Sequence, residues 1–434
     1  MKKIVKIDYG KEGLEISINP SWNVTVFHPR MQKALENPVK EIRKVIKNPN
    51  EGKSLQKIIE NKKNVKKVCV VVSDATRPVP SHIILEGLIG ELNDYGISDN
   101  QILILIATGL HRPSKADEIE RIIGKNLISR LEVKNHVATD TNSLQYFDNK
   151  EDNIPIYINK HYCTSDVKIT TGYVEPHFFF GFSGGRKSII PGIAGKETIQ
   201  ANHSAKNIAS AHSRFGMYKE NVLHKNSMEI CQMIGVDFMI NVCINEYHEI
   251  VQVAAGDFEK VHETLVDYQN KHLFNEIQEP YDIVICGNGG YPLDLNLYQA
   301  VKSMALGELA VKRDGTIISV NECIDGIGEE QFKVLLFSGK SPKEVYRLIL
   351  NGEILVPDQW EIQILARVLM KAEIIVVSRL KKHEIGNIGL KYAKTVEDAI
   401  NLSIDKHGSN AKILILPNGP QILPFLKKSL KKGF

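Results

Sequence analysis

The segment KVCVVVSDATRPVP, residues 67–80, carries the clearest fold signal in this 434-residue chain. It is an unbroken apolar run that ends abruptly in a polar motif containing two prolines. A continuous Val-rich run is typical of a strand covered on both faces, as in a parallel sheet. The segment therefore predicts a buried strand with a polar turn at its carboxyl end.

A helical stretch follows this strand, with Ser81 as its predicted N-cap and with Ile84, Leu88 and Leu92 on one face. The strand, polar motif and helix recur along the chain. The clearest further cases are QILILIATGLHRPS (101–114), DVKITTGYVEPHFFFGFSGGRKS (166–188), YDIVICGNGGYPLD (281–294) and GTIISVNECIDG (315–326). Alternating strands and helices predict an α/β fold with mainly parallel sheets flanked by helices.

The pattern is interrupted near residues 265–280, where LVDYQNKHLFNEIQEPYD precedes a fresh strand. We therefore expect two lobes, an N-terminal α/β domain over residues 1–275 and a C-terminal α/β domain over residues 276–434. The final segment is a candidate to pack back on the first domain. Ligands of such sheets bind beyond the carboxyl ends of the strands, so we expect the active site in the cleft between the lobes.

Composition narrows the class of protein. Hydrophobic residues make up 43% and charged residues 24% of the chain, as in ordinary globular proteins. The net charge of +4 is too small to indicate a nucleic-acid partner. No signal-peptide pattern and no apolar run of about 20 residues is present, so we expect a cytoplasmic protein with no membrane partner. The six cysteines form no C-x-x-C pair, which argues against a structural zinc site.

Candidate functional side chains follow the first two strands. Arg77 suits a phosphate or carboxylate, because its planar fork can bind such anions with two hydrogen bonds. His111 ends the most apolar strand and suits a general base, because its ordinary pKa lies near neutrality. The alternatives are Asp74 making its own turn beside a surface arginine, and a histidine that closes a loop.

The segment EPHFFFGFSGGRKSIIPG, residues 175–192, is rich in glycine and nearly matches the phosphate-binding pattern G-x-x-x-x-G-K-[ST]. Gly181, Lys187 and Ser188 match, whereas Arg186 stands where the pattern requires glycine. The two remaining interpretations are a backbone nest for an anion and a tight turn with solvated charges.

Later motifs add a lone histidine and a carboxylate-binding pattern. His203 lies in a segment predicted to be helical, KETIQANHSA, and one histidine is too few for a protein-only metal site. Helical spacing places Lys302 beside Tyr298 and Gln299, which would suit a carboxylate, although a surface lysine is the alternative. Trp360, together with Ile364 or Leu365, is interpreted from the residues alone as a core position. The residues alone indicate an α/β enzyme with a polar cleft, an anionic substrate and an acid/base pair.

Five motifs in this order resemble the nickel-dependent lactate racemase family. They are SDATRPVPSH (73–82), ATGLHRPS (107–114), HFFFGFSGGRKSIIPGIAGKETIQANHS (177–204), NGGYPLDLNLYQAVK (288–302) and PDQW (357–360). The resemblance implies a racemase or epimerase of 2-hydroxy acids whose N-terminal domain binds the cofactor. That cofactor is nickel in a pyridinium-3,5-bisthiocarboxylate mononucleotide, the nickel-pincer nucleotide.

The resemblance also assigns roles to residues. Lys187 would hold the cofactor covalently and His203 would be the one protein ligand of nickel. His111 and His177 would be the catalytic acid/base residues. Further cofactor contacts would come from Asp74, Ala75, Thr76 and Arg77. The substrate would be bound by Gln299 and Lys302, with Tyr298 and Trp360 as neighbouring walls.

By this resemblance, one histidine removes the hydroxyl proton while hydride leaves the α-carbon for the cofactor and later returns to the other face. The partners would be a small-molecule 2-hydroxy acid and the proteins that make the cofactor. Lactate is the default substrate, with malate, phenyllactate or a sugar acid as alternatives. The alternative function is a non-catalytic paralogue that binds an anionic metabolite or nucleotide.

Overall fold

The computed structural model describes residues 3–148 and 154–426. These residues form two compact units. The first unit comprises Met31–Ser204 and Met217–Lys271, within the described ranges. The second unit comprises the described residues before 31, Ala205–Gly216 and the described residues from 272 onward.

Strands of the described chain are numbered in sequence order. They are β1 (Lys3–Ile7), β2 (Leu14–Ile18), β3 (Asn23–Val26), β4 (Val68–Ser73), β5 (Ile102–Ala107), β6 (Glu132–Asn135), β7 (Leu144–Phe147), β8 (Ile156–Asn159), β9 (Val167–Tyr173), β10 (Pro176–His177), β11 (Gly181–Phe182), β12 (Phe238–Ile244), β13 (Ile250–Gly256), β14 (Phe274–Ile277), β15 (Tyr281–Cys286), β16 (Val311–Val320), β17 (Glu373–Val377), β18 (Lys391–Tyr392), β19 (Lys412–Leu416) and β20 (Leu423–Leu426).

The α-helices are numbered in the same way. They are α1 (Pro38–Lys47), α2 (Leu55–Asn61), α3 (Ser81–Asp94), α4 (Ala116–Ile123), α5 (Lys125–Ile128), α6 (Lys160–Cys163), α7 (Lys196–Asn202), α8 (Ala205–Ala209), α9 (Val222–Ile234), α10 (Phe258–Leu273), α11 (Leu297–Glu308), α12 (Glu330–Leu336), α13 (Pro342–Leu350), α14 (Gln359–Leu369) and α15 (Val396–His407). Short 3-10 helices cover Asp99–Gln101, Thr141–Ser143, Gly185–Ser188 and Lys382–Glu384.

The first unit is built on a six-stranded sheet with the order β13-β12-β9-β4-β5-β6. All neighbours are parallel except β12 and β13, which pair antiparallel. The valine run Val68–Val72 in β4 is fully buried, as expected for a central strand with both faces covered. The predicted parallel α/β fold is confirmed in this unit.

The second unit contains another six-stranded sheet, ordered β18-β17-β16-β15-β19-β3, in which every neighbouring pair is parallel. Its two central strands, β15 and β16, are segments that the apolar runs predict. Strand β3 enters this sheet beside β19, although it comes from the first 30 residues of the chain. Two mainly parallel sheets with flanking helices therefore make up the two-domain architecture.

The two units do not contain the same stretches of the chain as the two domains that the sequence predicts, which divide at residue 275. Residues 3–30 and Ala205–Gly216 group with the second unit rather than with the rest of residues 1–275. The pairing of β3 with β19 is a long-range contact, which no local pattern encodes. In the final segment, β20 pairs with β14 in the second unit, and residues 427–434 lie outside the described part of the chain.

Helix α3 shows the predicted buried face, because Ile84, Leu88 and Leu92 are all fully buried. The predicted N-cap is wrong. Ser81 is the first helical residue, and Pro80 holds the cap position, where its carbonyl accepts from the amides of Ile83 and Ile84. None of the helices in residues 3–148 and 154–426 is long and apolar enough to cross a membrane.

Candidate active site

Three polar motifs follow three adjacent strands of the first sheet. Strand β4 lies between β9 and β5, and all three run parallel. Asp74 comes directly after β4, His111 follows β5 by four residues, and His177 follows β9 by four residues. Because the carboxyl ends of parallel strands meet at one edge, these motifs share the edge where ligands of such sheets bind.

Asp74 and His111 form a hydrogen-bonded pair at this edge. The Nδ1 atom of His111 lies 2.8 Å from Oδ2 of the buried Asp74, and Thr76 donates to Oδ1 at 2.9 Å. Burial raises the pKa of Asp74. The hydrogen bond from His111 and the charges of His111 and Arg77 together lower this pKa by more than burial raises it, so the net shift is downward. The carboxylate therefore stays ionised and fixes the proton of a neutral His111 on Nδ1, so that Nε2 carries the lone pair.

The remaining residues of this motif are more open to solvent. Thr76 and Arg77 are exposed and Ala75 is half-buried. Arg77 donates to the Thr76 hydroxyl at 3.4 Å. Its charge also acts on the buried Tyr173 hydroxyl at the end of β9, whose pKa burial raises far above the ordinary value. This arginine thus lies where two strand ends meet and can face an anion.

His177, Lys187 and His203 converge on two phenylalanine rings, those of Phe179 and Phe180, which we call the phenylalanine pair. The ring centroid of His177 lies 4.6 Å from that of Phe179, and the ring of His203 lies 5.4 Å from both phenylalanines. The Lys187 ammonium lies 4.2 Å from the centroid of Phe180. An amine and two imidazoles that the sequence separates by up to 26 positions are thus gathered around one apolar surface.

The two candidate acid/base histidines present different ring nitrogens. The backbone amides of Phe179 and Phe180 donate to Nδ1 of His177 at 3.4 Å and 3.3 Å. A neutral His177 therefore carries its proton on Nε2. His111 has the opposite tautomer. The Nε2 atom of His111 can therefore accept a proton, whereas the Nε2–H group of His177 can donate a hydrogen bond.

His203 has the features of a neutral imidazole ligand. It follows α7, is 5% exposed, and its Nδ1 lies 3.1 Å from the carbonyl oxygen of Ile199. A carbonyl can only accept, so Nδ1 carries the proton and Nε2 carries the lone pair. Burial lowers the pKa of His203 to about 3, with a further contribution from the charge of Lys187. The ring therefore remains neutral at physiological pH, as a metal ligand must.

Lys187 lies in the 3-10 helix Gly185–Ser188, and the preceding loop is held by protein groups. The amide of Gly185 donates to Oδ1 of Asn241 at 2.9 Å, and the amide of Lys187 donates to the Gly184 carbonyl at 3.1 Å. The Ser188 hydroxyl donates to the Thr171 carbonyl at 3.0 Å. These backbone and side-chain donors bind acceptors within the protein and so stabilise the fold. The loop therefore resembles a phosphate-binding loop in sequence but not in geometry.

Arg186 is fully buried and supports the same loop. It donates to the carbonyl of Phe180 at 3.0 Å, to that of Gly184 at 3.2 Å and to Nε2 of His262 at 2.8 Å. Nε2 of His262 also lies 3.1 Å from the Ser183 carbonyl, but a guanidinium only donates, so we assign this nitrogen as an acceptor. The sequence suggests a solvated charge at position 186. Arg186 is instead a buried side chain whose hydrogen bonds stabilise the loop.

The geometry of this loop predicts a large loss of stability for Gly184→Ala. Gly184 has φ of +70°, and a Cβ there would lie 2.6 Å from Oδ1 of Asn241. We expect the free energy of unfolding to fall by about 3–5 kcal/mol, from backbone strain and overpacking together. Urea unfolding measures this. Gly96→Ala is the control, because Gly96 also has positive φ but open space around it, and it should cost about 1 kcal/mol. Equal losses in the two variants would contradict the prediction.

The predicted carboxylate-binding residues lie in the second unit, on α11. Asn296 caps this helix by accepting from the amide of Gln299, and the Lys302 ammonium donates to Oε1 of Gln299 at 2.6 Å. The ring of Tyr298 packs edge-on against Phe332 at 5.6 Å. Trp360, in the first turn of α14, is half-buried. The helical spacing therefore does bring Lys302 and Gln299 together.

Several residues that shape these sites have no signal in the sequence patterns. They include Phe180, Arg186 and Asn241 around Lys187, and the buried Glu361 beside Trp360. Within residues 3–148 and 154–426, no three His, Cys, Asp or Glu side chains are grouped as a metal-binding cluster.

Known proteins match nearly the whole chain. The family model for the lactate racemase N-terminal domain matches residues 9–216, and that for the lactate racemase C-terminal domain matches residues 277–423. A lactate racemase of Thermoanaerobacterium thermosaccharolyticum is 34% identical over 424 residues, which cover 96% of this chain and 98% of the relative. A lactate racemase of Lactiplantibacillus plantarum is 38% identical over 381 residues, or 87% of this chain and 89% of the relative.

Solved structures agree with these matches. The lactate racemase apoprotein of Thermoanaerobacterium thermosaccharolyticum superposes with a TM-score of 0.90 at 32% identity, covering 97% of this chain and all of that one. A Thermotoga maritima protein shares the fold, with a TM-score of 0.65 at 21% identity over 92% of this chain and all of that one. The fold and the relatives together define an isomerase of the racemase class. The chain belongs to the lactate racemase family.

Proposed function

We propose that this protein racemises lactate or a closely related 2-hydroxy acid with a nickel-pincer nucleotide attached to Lys187. The observation that carries the proposal is the convergence of Lys187, His203 and His177 on the phenylalanine pair. An amine that can be acylated, a neutral imidazole with its lone pair on Nε2, and a second imidazole lie around one apolar surface. These are the groups needed for a tether, a nickel ligand and an acid/base residue.

The residues of the first unit fit the proposed cofactor. Lys187 would form the covalent link, and His203 would supply one nitrogen ligand to nickel. Asp74, Ala75, Thr76 and Arg77 would line the nucleotide, with the exposed arginine facing its anionic group. When bound, the nickel-pincer nucleotide supplies an electrophilic carbon that accepts hydride from the substrate and returns it.

His111 is the proposed general base for the substrate hydroxyl. Its Nδ1 is held by the ionised Asp74, which leaves Nε2 as the acceptor and stabilises the imidazolium formed when the proton arrives. His177 would face the hydroxyl of the opposite enantiomer. Because a racemase works in both directions, the two histidines exchange the roles of acid and base with the direction of reaction.

Gln299 and Lys302 are the proposed ligands of the substrate carboxylate, with Tyr298 and Trp360 beside them. A lysine and an amide already in contact at 2.6 Å need little reordering to hold a planar 2-hydroxy or 2-keto acid. Lactate is the proposed substrate because the two similar racemases act on it. The second unit would thus act as the C-terminal substrate domain and the first unit as the cofactor domain.

The test is to produce the protein together with the enzymes that make the cofactor and to measure its intact mass. The loaded protein is then incubated with single enantiomers of lactate, malate and phenyllactate, and the products are separated on a chiral column. An adduct with conversion of lactate in both directions supports the proposal. An adduct with no turnover of any acid would favour a non-catalytic paralogue.

We also propose a cytoplasmic location for the protein, where the enzymes that make the cofactor would meet the chain.

We expect His111→Asn and His177→Asn each to lower kcat for lactate by about 10²–10⁴-fold, because each removes one proton-transfer group. The cofactor adduct on Lys187 should remain. His383→Asn, on an exposed histidine in a 3-10 helix, is the control and should keep full activity. Wild-type kcat in either loaded variant would rule out that histidine as an acid/base residue.

A further inference from the structure

His136 is a histidine in the interior of the first unit that takes no part in the proposed mechanism. It directly follows β6 and is fully buried. Burial lowers its pKa to about 4, so the ring is neutral at physiological pH. Both ring nitrogens have protein partners, and these partners come from two later segments of the chain. The side chain therefore joins parts of the unit that are separate in the sequence.

The two hydrogen bonds of the His136 ring fix its tautomer. Nε2 lies 2.9 Å from the carbonyl oxygen of Ala194, and a carbonyl can only accept, so Nε2 carries the proton. Nδ1 then accepts from the side-chain amide of Asn159 at 3.1 Å. Oδ1 of Asn159 accepts in turn from the backbone amide of His161 at 3.0 Å, which orients the amide group. The imidazole is thus a donor to Ala194 and an acceptor from Asn159.

Ala194 lies between the two residues that we propose to hold the cofactor. It comes seven positions after Lys187 and nine positions before His203. The amide of Gly192 donates to the Lys187 carbonyl at 3.0 Å, and α7, which His203 follows, begins two residues after Ala194. The hydrogen bond from His136 therefore holds the segment that joins the proposed tether to the proposed nickel ligand.

The backbone of His136 holds the loop of the proposed general base. Its amide donates to the Ile106 carbonyl in β5 at 3.0 Å, and its carbonyl accepts from the Thr108 hydroxyl at 2.5 Å. The Thr108 carbonyl accepts from the amide of His111 at 2.9 Å. One buried residue therefore contacts the His111 loop through its backbone and the Ala194 segment through its ring.

The loop and the segment also meet directly. The amide of Gly109 donates to the Gly192 carbonyl at 3.0 Å. Glycine backbones are conformationally permissive, so a single hydrogen bond between two glycines restrains the arrangement only weakly. The His136 ring, which is fixed by two hydrogen bonds in a closely packed interior, supplies a stiffer restraint between the same two parts of the chain.

We propose that His136 is a positioning residue, which keeps the His111 loop and the Ala194 segment in the arrangement that racemisation needs. This inference rests on the proposed functions of His111, Lys187 and His203. His136 exchanges no proton in the reaction and acts only through the two segments that it joins. Because a displacement of about 1 Å can lower a rate about 10²-fold, a small relaxation of this arrangement should reduce kcat.

Two substitutions separate positioning from a contribution to stability alone. In His136→Gln the side-chain amide lies near the place of Nε2 and can donate to Ala194. In His136→Asn the amide lies near the place of Nδ1 and keeps only the contact with Asn159. Each variant loses one of the two buried hydrogen bonds, so both should lose similar stability, which urea unfolding measures.

The kinetics of the loaded variants should differ. We expect His136→Asn to lower kcat for lactate by about 10–100-fold, because the Ala194 segment is released, and His136→Gln to stay within about threefold of the wild type. KM should change by less than about twofold in both, because the proposed carboxylate ligands are unaltered. The cofactor adduct on Lys187 should remain in both.

Hydrogen exchange followed by mass spectrometry tests the same restraint without cofactor or substrate. In His136→Asn, peptides that cover residues 105–112 and 187–196 should exchange at least about tenfold faster than in the wild type. In His136→Gln they should exchange at nearly the wild-type rate. A peptide from β12 is the internal control and should be the same in all three proteins.

His383→Asn, at an exposed position, is the matched control and should keep the wild-type kcat and exchange rates. If His136→Asn does not fold, Thr108→Val replaces it, because it removes only the hydroxyl that donates to the His136 carbonyl and should also lower kcat. Equal kcat in His136→Asn and His136→Gln, or unchanged exchange of both peptides, would overturn the inference. A loaded wild type that racemises none of the three acids overturns the proposed function instead, and the exchange rates still decide whether His136 restrains the two segments.

Discussion

Lys187→Ala is expected to leave the protein without its covalent cofactor and without racemase activity. The Lys187 amine lies 4.2 Å from the Phe180 ring centroid, and its charge acts on His203, so it is placed beside the proposed nickel ligand. Without the tether the chain loses the group that would accept hydride. Typical enzymes accelerate their reactions by about 10⁶-fold or more, so activity should fall below detection.

Intact mass and peptide mapping of protein co-produced with the cofactor-making enzymes measure this result. Lys187→Arg is an informative companion, because it keeps a cation near the phenylalanine pair but cannot form the amine link. It should lack the adduct as well. Lys125→Ala, whose side chain is 87% exposed, is the control and should carry the adduct in full. An adduct on Lys187→Ala protein, together with wild-type turnover, would refute the proposed tether.

His203→Ala is expected to lose nickel while the organic part of the cofactor stays on Lys187. The His203 ring is the buried neutral imidazole beside this lysine, and its Nδ1 is fixed by the Ile199 carbonyl. Loss of an oriented imidazole removes one donor and its supporting hydrogen bond. Since removing only the supporting partner of a metal ligand typically costs 10–100-fold in affinity, loss of the ligand should cost more.

Metal analysis after desalting gives nickel per protein, and intact mass reports the adduct independently. We expect nickel near one per chain in the wild type and near zero in His203→Ala. His383→Ala, at an exposed position, should retain nickel fully. Full nickel occupancy in His203→Ala would show that another group is the protein ligand.

The apolar runs in the sequence predict the positions of several central strands of the fold. Strands β4, β5, β9, β15 and β16 lie where the sequence predicts them. They are predictable because a strand buried on both faces needs several consecutive apolar residues, which a local reading detects. The common edge for Asp74 and His111 follows as well, since parallel strands end on the same side.

Contacts between distant parts of the chain could not be anticipated. Strand β3 pairs with β19 almost 390 residues later, so the first 30 residues join the second unit. Arg186 reads as a solvated charge in a glycine turn, yet it is fully buried. The environment of a charged group depends on residues that pack around it, and these are remote in sequence.

The amino-acid sequence established the α/β class, the order of the motifs and the resemblance to a racemase family, because each depends on residues that are close together in the chain. The three-dimensional arrangement established which nitrogen of His111, His177 and His203 carries the proton. Protonation and pairing depend on burial and on the distance to other charges, and both quantities exist only once the chain has folded.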